Sequence, residues 1–73
     1  MDLRLTNLIA QNFGLEADEI HNSLTIDNCP SWTSITHMTL ISSIEEEYQI
    51  QVPIQDVFEL TSVLSIDNYI QAI

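Results

Sequence analysis

Positive charge is almost missing from this chain: it has no lysine, and Arg4 alone faces eleven Asp and Glu residues, for a formal net charge of −10. Phosphate backbones are bound by Lys and Arg that displace counterions, so nucleic acid is excluded as a direct partner. An anionic membrane surface is disfavoured on the same ground. Complementary charge points instead to protein partners with basic patches. Self-repulsion on this scale predicts a fold that moderate salt or divalent cations stabilise.

Other shortages narrow the reading further. The single Cys29 has no partner for an internal disulfide, which fits a reducing compartment. No His or acid at a supporting spacing accompanies it, so it reads as a bystander thiol. With Gly14 the only glycine, a glycine-rich phosphate loop is impossible. Two scattered histidines and one cysteine lack zinc spacing, and no segment has the oxygen-ligand period of an EF-hand. There is neither a signal-peptide pattern nor an apolar stretch long enough to span a bilayer, so a cytoplasmic chain without stable membrane insertion is expected. At 73 residues the chain makes one domain, residues 1–73, expected to be a monomer of modest stability. It shows no acid–base or nucleophile constellation, and an enzyme is not expected.

What is present is hydrophobic and periodic: 45% of the residues are apolar, distributed in runs rather than excluded as in a disordered acidic tail. From Asp2 to Phe13, Leu5, Leu8, Ile9 and Phe13 share one helical stripe. Asp2 suits the N-cap or first turn, and Gly14 the C-terminal stop. From Leu15 to Trp32 no period persists; Asn22, Ser23, Asp27, Asn28 and Pro30 favour turns, while Ile20, Leu24 and Ile26 are placed to pin a long loop. A second helix is predicted over Ser34 to Tyr48, capped by Thr33, with a stripe of Ile35, Met38, Ile41, Ile44 and Tyr48 flanked by Leu40. Pro53 opens a short third helix to about Glu59 that buries Val57 and Phe58. Thr61 or Ser62 caps a last helix with Val63, Ile66, Tyr69, Ile70 and Ile73 inward. The expected architecture is all-α: a four-helix bundle of three main helices and one short one, with a long first loop.

The order of these segments resembles the acyl carrier protein family over essentially the whole chain. The resemblance is carried by Trp32-Thr33-Ser34-Ile35-Thr36-His37-Met38, where the family has Asp-Ser-Leu at the start of its second helix. It continues in Leu40-Ile41, in Ile44-Glu45-Glu46-Glu47-Tyr48, in the Ile50 to Pro53 break, and in Thr61-Ser62-Val63 followed by Asp67-Asn68-Tyr69-Ile70. Gly14 stands ahead of Ser34 at a spacing that also fits. The resemblance implies that Ser34 accepts 4′-phosphopantetheine from coenzyme A through a phosphopantetheinyl transferase and carries acyl groups as thioesters. It implies as partners an acyl-loading ligase or acyltransferase and downstream biosynthetic enzymes with basic docking patches.

The position suits that chemistry, because a helix start offers unpaired amides and a positive dipole end to a phosphodiester. A serine there can equally be a mere helix-start residue. Ser31, Ser42 and Ser43 are poorer candidates, the first in the loop and the others within the helix. Thr33 replaces the family's acid, Ser31 its glycine, and Thr36 and Thr39 its further acids on this helix, which points to a specialised rather than a fatty-acid-synthase carrier. His37, one turn after Ser34, either approaches the phosphate or lines the partner surface with Thr36 and Thr39. Trp32 is either a partner contact or a plug between loop and helix. Glu45, Glu46 and Glu47 are either a docking patch or a solvated face. The competing class is an acidic helical interaction module that keeps the fold without the arm.

Overall fold

A computed structural model describes residues 1–73. It contains α1 (Leu3–Phe13), α2 (Ser34–Tyr48), α3 (Ile54–Val57) and α4 (Val63–Gln71), with one 3-10 turn, Ala17–Glu19, in the loop between α1 and α2. There is no sheet; one isolated bridge pairs Thr25 with Ser62. The all-α, four-helix architecture expected from the sequence is the one observed.

Each boundary has a local cause. The Asp2 carboxylate accepts the Leu5 amide at 2.7 Å and starts α1, and Gly14 ends it in the left-handed conformation at φ 67°. Thr33 and Thr36 form a reciprocal capping box at α2: Thr33 Oγ1 accepts from the Thr36 amide, and the Thr33 amide donates to Thr36 Oγ1. Ser62 and Ser65 repeat the device at α4. The centre of the core comes from the three longer helices, with Leu5, Ile9, Leu40, Ile44, Val63 and Ile66 wholly buried.

The loop is tied down at two points. Ile20 and Leu24 are buried and Ile26 half-buried. Two backbone bonds, Ile26 N–H to Thr61 and Val63 N–H to Leu24, both 2.9 Å, hold it against the start of α4. Trp32 is buried to 3% exposure and packs on Phe13 with ring centroids 4.8 Å apart, so it is the plug between loop and bundle.

Several expected faces are corrected. On α2 the buried positions are His37, Leu40, Ile41 and Ile44, while Ile35 and Met38 are exposed at 76% and 44%. The helix is rotated away from its purely apolar stripe because the His37 imidazole finds buried hydrogen-bond partners. The third helix stops at Val57, and Phe58 is exposed because the turn from Val57 to Leu60 sends Leu60 inward instead. At the last helix Ile73 lies exposed beyond its end, and Asp67 takes a buried place beside Ile66 and Ile70. No helix is long and apolar enough to cross a membrane.

Candidate functional site

Ser34 is the first residue of α2, and its side chain is exposed. Thr33 supplies the cap without an acid, so the helix starts here as firmly as an aspartate would allow, minus the charge. The capping box occupies the amides of Thr33 and Thr36, and the His37 amide bonds to the Thr33 carbonyl at 2.8 Å. The amides of Ser34 and Ile35 therefore remain open at the positive end of the helix. No carboxylate occurs on α2 before Glu45.

Beside Ser34 lies an open groove of about 560 Å³ lined by Ile26, Ser34, His37, Met38, Phe58 and Thr61. Two of its walls, Met38 and Phe58, are exposed apolar side chains that the sequence pattern would have placed in the core. A serine hydroxyl, two free amides and an apolar trough together suit a phosphodiester followed by an uncharged arm. The alternative serines fare worse. Ser43 Oγ donates to the Thr39 carbonyl at 3.0 Å. Ser42 is exposed but shares its surface with Glu45 and Glu46, whose carboxylates would repel a phosphate.

The other residues singled out in the sequence are scattered in role. His37 is 5% exposed, so it meets the groove beside Ser34 from within the bundle rather than standing on an outward-facing patch. Its Nδ1 accepts from Trp32 Nε1–H at 3.0 Å, and its Nε2–H donates to the Val57 carbonyl at 2.8 Å. Because indole is a donor only, the pair fixes the ring as the Nε2–H tautomer. Thr36 spends its hydroxyl on the capping box and on the Ser31 carbonyl, 2.7 Å away. Thr39 is exposed, with its hydroxyl bonded to the Thr36 carbonyl. Glu45 is half-buried and accepts the Val52 amide at 2.8 Å, which makes it a brace for the break after α2. Glu46 and Glu47 are exposed, Glu47 in a 3.5 Å ion pair with Arg4. Cys29 is buried. No cluster of His, Cys, Asp or Glu is gathered for a metal ion.

Sequence reasoning missed Phe58 and Met38 as walls of the groove. The signal that could have found Met38 is redundancy, because α2 carries more apolar residues than one buried stripe can hold; Phe58, just past α3, carries no such signal.

Comparison with known proteins agrees with this geometry. Residues 3–70 match the family model described as the phosphopantetheine attachment site. The chain is also 29% identical over 69 residues to an acyl carrier protein of Clostridium acetobutylicum, a match covering 94% of this chain and 90% of that one. The prosthetic group of the family is a covalently attached 4′-phosphopantetheine, and the groove and helix start described above fit it. The match spans the loop and all four helices, and on that ground the chain belongs to the phosphopantetheine-attachment family of acyl carrier proteins.

Proposed function

We propose that Ser34 is the residue to which phosphopantetheine is joined, and that the protein presents thioester-bound acyl groups to other enzymes rather than catalysing a reaction itself. The observation that carries this reading is the accessible Ser34 hydroxyl at the first position of α2, with the Ser34 and Ile35 amides open and no carboxylate on the helix before Glu45. Partial positive charge at a helix start favours the phosphodiester. When bound, the arm supplies a terminal thiol for the acyl group. The chain holds that arm at one point, which raises the effective concentration of the cargo at any docked enzyme.

The partners are a phosphopantetheinyl transferase, an acyl-loading ligase or acyltransferase, and biosynthetic enzymes that receive the cargo. Exposed Glu46 and Glu47 favour basic surfaces on those enzymes and fast, reversible encounters. Thr36 and Thr39 leave the first half of α2 uncharged, which supports a carrier dedicated to a pathway other than fatty-acid synthesis. The working unit is the single domain 1–73.

Incubation with coenzyme A and a broad-specificity phosphopantetheinyl transferase, followed by intact mass measurement, tests the assignment. The wild type is expected to gain one arm and Ser34→Ala none. An unmodified wild type, or a modified Ser34→Ala protein, overturns it.

A further inference from the structure

An apolar acyl group hung beside Ser34 is driven toward the nearest apolar surface, which is the groove between α2 and the α3 corner. What lies at the floor of that groove decides how far such a group can go. The floor is His37, a buried imidazole with both nitrogens committed: one to Trp32 of the loop, the other to Val57 at the end of α3. Trp32 in turn packs on Phe13 of α1. One side chain of α2 thus joins the loop, the first helix and the third.

We propose that His37 is a latch that restricts this carrier to cargo held outside the bundle, namely short or polar acyl groups. The inference rests on the carrier reading of Ser34 and adds the class of cargo to it. Its physical basis is the asymmetry of buried hydrogen bonds. Parting α3 from α2 to admit a long chain takes the Val57 carbonyl away from the Nε2–H and leaves that N–H unpaired in an apolar setting, while the carbonyl keeps only its longer bond from the Leu60 amide. A four-residue helix has little cohesion of its own, so its position depends on such contacts. Val57 is itself buried, and Tyr69 donates to Asp56 at 2.9 Å, so the latch closes a corner already pinned from α4. An apolar residue in place of His37 would have left that corner free to slide open without stranding a polar atom.

The test loads the protein enzymatically from acetyl- and octanoyl-coenzyme A and confirms the mass gain at Ser34. It then measures thioester cleavage by hydroxylamine and the methyl NMR shifts of Leu40, Val57 and Ile66. In the wild type the two thioesters are expected to be cleaved at the same rate, with the core methyls unmoved. In His37→Ala the octanoyl thioester is expected to be protected about tenfold relative to acetyl, the factor that one lost buried hydrogen bond can hold back. Should that variant fail to fold, the wild-type comparison decides alone. Protection of octanoyl in the wild type, with shifts at Leu40, Val57 and Ile66, overturns the latch while leaving the carrier reading intact. Absence of any mass gain at Ser34 sinks both.

Discussion

From Ser34 to Ile44, α2 carries no Asp, Glu, Lys or Arg, whereas Glu45, Glu46 and Glu47 crowd its last turn before Tyr48. The uncharged end is held by packing: Trp32 lies between Phe13 and His37, and His37 reaches Val57. The acidic end is held by polar braces: Glu45 to the Val52 amide, Glu47 to Arg4, and the Arg4 guanidinium 4.3 Å over the Tyr48 ring. The difference teaches that the acids of α2, three of the eleven in the chain, stand at the end of the helix away from Ser34.

The strongest way to break this comparison is at Trp32. Trp32→Ala removes a buried indole and orphans His37 Nδ1, and is expected to cost about 3–5 kcal/mol, much of the stability of so small a domain. Urea unfolding followed by circular dichroism measures it. A loss no greater than that of Glu45→Ala would show that packing does not dominate the uncharged end.

Single polar braces come next. Glu45→Ala is expected to cost about 1 kcal/mol, because the Val52 amide loses a half-buried acceptor, while Glu46→Ala should stay within about 0.5 kcal/mol of wild type. At the other end Thr33→Ala is expected to lose about 1 kcal/mol through the cap, and Thr33→Asp to recover it. If Glu45→Ala and Glu46→Ala proved equal, the acidic end would be a solvated face throughout.

These variants also mark what could be read from the sequence. Caps and breaks were legible because they depend on a few neighbouring residues: Asp2, Gly14, Thr33 and Ser62 act where their chemistry placed them, and α2 runs over the span its pattern implied. The face of α2 was not legible. Periodicity assigns Ile35 and Met38 inward and a histidine outward, and only contacts with Trp32 and with Val57, twenty residues on, reverse that choice. Phe58 misled for the same reason: its size argued for the core, yet Leu60 took the inward place. Three of the residues that defied the hydrophobic pattern, His37, Met38 and Phe58, line the groove beside Ser34.

Helix ends sharpen the contrast at smaller cost. Gly14 closes α1 at φ 67° and Gln49 closes α2 at φ 56°, so one left-handed position has glycine and the other does not. A Cβ at Gly14 would meet nothing within 4 Å, so the expected loss of about 1 kcal/mol in Gly14→Ala is backbone strain alone. Gln49→Gly relieves such strain but gives up the side-chain bond to the Glu46 carbonyl, leaving a net gain of about 0.5 kcal/mol in thermal unfolding. A loss instead would mean that the side-chain bond outweighs the strain.

The smallest effect concerns the acidic end in acid. The Leu5 amide, and then the Tyr48 hydroxyl at 3.2 Å, hold the Asp2 carboxyl below its ordinary value of 3.8. Because the folded protein favours the ionised form, this contribution is in place above about pH 4 and is lost as the pH falls through the folded value. Tyr48 moves the other way: burial, and then the Asp2 carboxylate, raise its phenol above 10.0, so its contribution persists at lower pH and is lost as the pH rises through the folded value. Asp2→Asn keeps a capping side chain but no charge, so its stability should fall below wild type at neutral pH and converge with it in acid. A gap that stayed constant from pH 7 down to about pH 2 would show that the Asp2 charge adds nothing to its cap. The acidic end would then differ from the uncharged one in what it attracts, and not in how it is held together.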